Sequence, residues 1–402
     1  MSTGVVPGIE LQMTLLLFFA LAGYLLASKI NQSAVVGEIL LGLVVGPSVL
    51  GLITYTEFVQ AIAALGAVIL MFVIGFEFKI EDLTNVKYGI IGLIGIIVPW
   101  IGGYFVSLAF GFSPESALFI GTALTATSIA ITANVLKEMC LLDAEFSKAI
   151  IGTAVIDDIL SLLALSITAD VASGTFSFGG LAFIIAKQIG FLVLIALIGV
   201  FFISKMIVRM DESPISKKYP EFVFIFAVMI AFLFAALAEF IGISAIIGAF
   251  IAGVSFNGIN LKHSHDISEG ADYLYIIFAS VFFVSLGILV DLSALTGPVL
   301  IFIAVITVIA IISKVVGCGI PARLLGYSNR DSLAIGFGMS PRGEVAMIVA
   351  LMGLNLSLIG QDIYASIVVM SILTTVITPI AFRNWLFKKE VKACIAGEQG
   401  MQ

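Results

Sequence analysis

Val155-Ile156-Asp157-Asp158-Ile159-Leu160 sets two adjacent carboxylates near the middle of an apolar run, residues 145–170. One ionised side chain at the centre of a bilayer is costly, and a second beside it adds repulsion. A chain that keeps both has a use for them. The pair reads as a carrier of cations and protons, held and moved by the rest of the chain.

The whole chain fits a bilayer. Its 402 residues are 61% hydrophobic and 11% charged, with a mean hydropathy of +1.21, whereas a water-soluble domain is about one quarter charged. The apolar runs are long and continuous, so helices rather than barrel strands span. The 39 glycines suit close helix packing in lipid. The net charge of −7 says little about partners, and no basic patch with interleaved aromatics points to nucleic acid. Cys140, Cys318 and Cys394 form no CxxC, which argues against a structural disulfide or zinc. The first run lacks a basic leader and cleavage site and reads as a retained span.

Thirteen spans are expected, near residues 9–28, 32–51, 57–78, 88–111, 114–137, 145–170, 179–204, 220–240, 243–257, 271–290, 298–323, 330–354 and 361–387. Their weakest boundary is Ile241-Gly242-Ile243. Lys187, Lys314 and Arg342 sit within spans. Every other Lys and Arg, from Lys29 to Lys392, falls in or beside an odd-numbered connection. The positive-inside rule makes that side cytoplasmic, with the N-terminus outside and the C-terminus inside. The expected division is 1–178 (spans 1–6), 179–219 (span 7 and its charged connection), 220–387 (spans 8–13) and a short tail, 388–402. Six spans on each side, starting from opposite faces, point to two inverted repeats with a site at the midplane between them.

Successive helical side chains point about 100° apart, so Asp157 and Asp158 cannot face one partner together. Two carboxylates this close titrate as a coupled pair. Hard oxygens suit a bare cation, and protons compete for them; the alternative is neutralisation in structural salt bridges. Lys314, near the middle of span 11, is placed to pair with one aspartate, either for good or until a cation displaces it. Span 12 carries Gly336-Phe337-Gly338-Met339-Ser340-Pro341-Arg342-Gly343-Glu344. Pro341 removes a hydrogen bond and the glycines loosen the helix, so a break is expected there. Arg342 and Glu344 then neutralise each other or the half-helix ends. Span 5 carries Thr125-Ala126-Thr127-Ser128-Ile129-Ala130-Ile131-Thr132. Its hydroxyls either offer oxygens to a cation or bond back to carbonyls, and no Pro or Gly marks a break. His263 and His265 read as a solvated loop rather than a pH sensor. Glu38, Glu77 and Glu239 read as interfacial.

These residues resemble the cation:proton antiporter superfamily, specifically its second family, which includes NapA-type Na+/H+ exchangers and the membrane domains of Kef-type K+ systems. The resemblance runs from about residue 10 to residue 385. It is carried by the aspartate pair, Lys314 and Met339-Ser340-Pro341-Arg342-Gly343-Glu344. Gly37-Glu38-Ile39-Leu40-Leu41-Gly42, Gly46-Pro47-Ser48-Val49-Leu50-Gly51 and Phe282-Phe283-Val284-Ser285-Leu286-Gly287 with Asp291 add to it. It implies an all-α inverted-repeat antiporter fold with a dimerisation domain and a core, in which spans 5 and 12 unwind and cross. It also implies Na+ and proton binding at Asp158 and Asp157, Asp157 pairing with Lys314, and Thr127 and Ser128 close to the cation. Arg342 and Glu344 would balance charge at the crossing. Some relatives carry a carboxylate in the span 5 crossing, and this chain has none there.

The expected function is electrogenic Na+(Li+)/H+ antiport by an elevator-like homodimer in a prokaryotic plasma membrane. No resident cofactor is expected. K+/H+ exchange is the nearest alternative, and a cation channel is the alternative of another class. An intramembrane aspartyl protease needs two facing carboxylates, which neighbours on one helix supply poorly.

Overall fold

The computed structural model describes residues 8–388 and 390, apart from 31, 77, 79–84, 174–177, 220, 260–266 and 290–296. A few helical side chains, Glu344 among them, are also outside the description. His263, His265, Glu77 and Asp291 fall among the undescribed residues. All the regular structure described is helical.

In chain order the helices are α1 Ile9–Lys29, α2 Ala34–Val45, α3 Glu57–Gly75, α4 Val86–Ala109, α5 Pro114–Ala123, α6 Ile129–Glu138 and α7 Glu145–Ser173. Then come α8 Phe178–Leu197, α9 Ser204–Asp211, α10 Pro214–Lys218, α11 Glu221–Ile241, α12 Ala245–Phe256 and α13 Ile267–Ile288. The last are α14 Gly297–Leu324, α15 Asn329–Gly338, α16 Glu344–Asn355 and α17 Gln361–Ala381. Among the described residues, eight helical stretches are long and apolar enough to cross a bilayer, and shorter apolar helices add to them. Each of the apolar runs marked in the sequence contains helix, though the second is helical only from Ala34 to Val45 and the fifth and twelfth are interrupted.

Local chemistry places the ends. Ser113 caps α5 with Pro114 at its first position, and Ser328 caps α15 by accepting from the Asp331 N–H. Gly242 separates α11 from α12 at φ +86°, a left-handed turn that glycine adopts freely. The Ile241-Gly242-Ile243 boundary is therefore a true helix end.

Packing sorts the helices into two groups, each drawn from both halves of the chain. The scaffold is α1, α2, α3, α11, α12 and α13. Its backbones interlock: a methyl on Gly42 would lie 2.0 Å from the Val284 carbonyl oxygen, and one on Gly253 2.1 Å from that of Phe72. Such close approach is how helices associate in lipid, where burying apolar surface adds little. The core is α4, α5, α6, α7, α14, α15, α16 and α17. Helix α8 runs between them, touching α7 on one side and α11 and α12 on the other. The groups meet through α6 and α17, which pack on α2, with α6 also on α3.

Glu38, read as interfacial, is 2% exposed within the fold. One expectation is corrected. Cys140 is disulfide-bonded, while Cys318 is a buried free thiol. Spacing along the chain does not register which distant segments a fold brings together.

Candidate ion-binding site

Two helices of the core stop in the middle and restart. The span 5 run is split into α5 and α6 by residues 124–128, and the span 12 run into α15 and α16 by residues 339–343. The two gaps cross and bond to each other. The Ser128 N–H donates to the Pro341 carbonyl at 2.9 Å. The Thr127 hydroxyl donates to the Met339 carbonyl at 3.1 Å, and that of Thr132 to the Gly338 carbonyl at 2.6 Å. Ser128 Oγ is buried and makes no hydrogen bond among the described residues. A methyl on Gly343 would lie 2.7 Å from both Cβ and Oγ of Ser128, so only glycine fits at that contact.

Charge converges on the crossing. Lys314 and Asp157 are each fully buried, and Lys314 Nζ lies 2.7 Å from Asp157 Oδ1. Asp157 Oδ2 makes no hydrogen bond among the described residues. Asp158, the next residue on α7, is 6% exposed. Gly95 on α4 leaves room for Cys318 and the Lys314 ammonium. Arg342, also buried, donates to the Ala126 carbonyl at 3.0 Å, to Met339 at 3.3 Å and to Ala310 at 3.1 Å. Met339 directly follows the C-terminal end of α15, where the helix dipole is negative, and Ala126 lies in the gap just after α5. Arg342 thus places its charge beside both breaks at once, and it lies within electrostatic reach of Asp157. A buried ion pair bonded in this way is strongly disfavoured from losing one partner.

The family model for the sodium/hydrogen exchanger transmembrane region matches residues 15–388. The chain belongs to the sodium/hydrogen exchanger family. It is 36% identical over 377 residues to the Na(+)/H(+)-K(+) antiporter GerN of Bacillus cereus, covering 90% of this chain and 94% of that protein. It is 31% identical to the Na(+)/H(+) antiporter of Enterococcus hirae, covering 94% and 98%. Among solved structures it superposes on the sodium proton antiporter MjNhaP1 of Methanocaldococcus jannaschii with a TM-score of 0.71 at 17% identity, covering 95% and 98% of the two chains. The antiporter fold is therefore shared.

Within this exchanger fold, Thr127, Ser128, Asp157, Lys314 and Arg342 lie at or beside one crossing. The Glu344 side chain is outside the described residues, and its backbone opens α16. Sequence reasoning missed α17. Thr374 Oγ1 accepts from the Arg342 N–H at 3.1 Å, and the Thr375 hydroxyl donates to the Arg342 carbonyl at 3.1 Å. The Thr378 hydroxyl donates to the Phe337 carbonyl at 3.3 Å. These threonines satisfy backbone groups that the α15–α16 break frees. The signal was the hydroxyl ladder Ser371, Thr374, Thr375 and Thr378 on one face of an apolar run.

Proposed function

We propose that this exchanger trades Na+ or Li+ for protons at a single site, with Asp157 and Asp158 as the groups that bind one or the other. The carrying observation is the fully buried Lys314–Asp157 pair, with Asp158 beside it, at the crossing of two broken helices. Asp158, the free edge of Asp157, Ser128 Oγ and Thr127 Oγ1 supply oxygens of the hard type that a bare alkali cation takes. A cation drawn to Asp157 competes with Lys314, and release of the lysine proton links the two fluxes. With two carboxylates and a titratable lysine, the exchange is electrogenic. Arg342 and Glu344 balance the helix ends.

The carrier works by alternating access, the core moving elevator-like against a homodimeric scaffold. The breaks support two inverted repeats, since each falls in the fifth of six runs in its half. The protein lies in a prokaryotic plasma membrane with the basic connections inside. K+ as a further substrate has support in the names of two relatives, GerN and the K(+) efflux antiporter 4 of Arabidopsis thaliana.

The test is proton flux in proteoliposomes under a set pH gradient, with Na+, Li+ or K+ added in turn, comparing wild type with Asp158→Asn. Sodium-triggered flux that the variant loses is the expected result. Flux triggered by K+ alone moves the assignment to K+/H+ exchange. Full sodium-driven flux in Asp158→Asn overturns the site.

A further inference from the structure

Apolar packing is unequal at the two ends of the molecule. One continuous cluster joins scaffold to core, and its members from α6 lie towards the basic end: Leu70 and Ile74 of α3 and Phe250 of α12 share it with Ile131 and Leu136 of α6. Towards the other end the packing divides. Phe119, Ile306, Val349 and Ile363 knit the core helices α5, α14, α16 and α17 to one another. Leu16, Val59, Val284 and Ile288 separately knit the scaffold helices α1, α3 and α13. Among the described residues, neither of these two clusters contains a member from the other group. Among the described residues, buried apolar packing therefore joins scaffold to core in the first cluster and in neither of the other two.

The basic end carries a chain of polar bonds across the boundary. Lys137 Nζ of α6 lies 2.6 Å from Asp272 Oδ1 of α13 and 4.5 Å from the centre of the Tyr275 ring. The Tyr275 hydroxyl donates to Asn134 Oδ1. Asn134 Nδ2 donates to Glu138 Oε1 at 3.1 Å, and Glu138 Oε2 accepts from the Ala34 N–H at 3.3 Å. That N–H is one of the unsatisfied donors in the first turn of α2. The bonds run unbroken from α13 through α6 to α2.

We propose that the Lys137–Asp272, Tyr275–Asn134 and Glu138–Ala34 contacts form a latch that keeps the core closed on the scaffold at the cytoplasmic end, and that the structure is the outward-open conformer of the cycle. The inference rests on the antiport and orientation proposed above. It follows from the kind of contact on each surface. Inside the scaffold, backbones interlock through glycines and cannot slide without collision. Across the boundary the latch uses side chains, and its ion pair is partly exposed, with Lys137 at 25% and Asp272 at 45%. A partly hydrated pair separates at small cost because water replaces the lost partner. Such contacts suit a joint that opens and recloses in every cycle, whereas interlocked backbones suit one that stays shut.

A latch that biases two conformers has a signature that plain destabilisation lacks. Weakening it populates the inward-open state and so tightens apparent binding only from the cytoplasm. The experiment measures half-saturating Na+ for transport at each face, in inside-out and right-side-out membrane vesicles. Asp272→Asn is expected to lower the cytoplasmic value about five-fold, with no fall at the outer face. Lys137→Met is expected to do the same and serves if Asp272→Asn does not fold. The exchange Lys137→Asp with Asp272→Lys is expected to restore the wild-type values. Equal shifts at both faces, or no shift in either single variant, overturn the latch. Wild-type vesicles without sodium-driven proton flux overturn the antiport reading instead.

Discussion

Between α15 and α16 the gap is written in the chain itself: Pro341 has no N–H to give a helix, and Gly338 and Gly343 flank it. Between α5 and α6 the gap at 124–128 holds Leu124, three hydroxyl residues and Ala126, any of which a helix accepts. The two nevertheless stop at the same depth and bond to each other. The first break is intrinsic, and the second is imposed. What keeps the second open is the first: Arg342 takes up the freed Ala126 carbonyl and the Pro341 carbonyl takes the freed Ser128 N–H. An unwound turn within a bilayer survives only where its polar groups are satisfied by protein, so the imposed break depends on its partner for its existence.

The sharpest way to break this asymmetry is Arg342→Ala. It takes this donor from the Ala126 carbonyl, at about 1–3 kcal/mol for a buried group left unpaired, while the Met339 and Ala310 carbonyls keep the Thr127 and Ser313 hydroxyls. Sodium-driven flux should be lost, with a large fall in the melting temperature of the detergent-solubilised protein. A variant that keeps both would show that the α5–α6 gap stands on its own. Next comes Gly343→Ala, which drives a methyl into Ser128. Overpacking of this kind costs about 1–3 kcal/mol. It should slow flux while the protein still folds, and Ser128→Ala in the same chain should recover part of the fall in melting temperature, but not the flux, since it also removes the Ser128 oxygen. The smallest effect belongs to Thr132→Val, which removes one bond to the Gly338 carbonyl and keeps the shape. About 1 kcal/mol is expected, read as a small fall in melting temperature with near-normal transport. A larger effect than that of Gly343→Ala would place the weight of the crossing on α6 rather than on the glycine contact.

The charged members of the site were legible because an ionisable residue in an apolar run has no bland use. Asp157, Asp158, Lys314 and Arg342 stand out on that ground, and so does the Pro341 break. The threonines of α17 were not legible. A hydroxyl in a membrane helix usually bonds to its own preceding turn, and Thr374 also does so, to Ser371. Nothing local says that it serves a neighbouring helix as well. The burial of Glu38 was not legible for a related reason. Distance from a run's end measures depth in the bilayer, while burial depends on which helices lie alongside.

By itself the sequence determined that the chain lies in a membrane, where its helices run, which connections are basic, and where ionisable groups enter the apolar interior. Those follow from transfer free energies that each short segment carries alone. The tertiary structure decided which lysine meets which aspartate, that residues 124–128 unwind, and that the scaffold interlocks while its boundary with the core is held by separable polar bonds. Each of these depends on groups far apart in the chain satisfying one another, and no local segment holds that information.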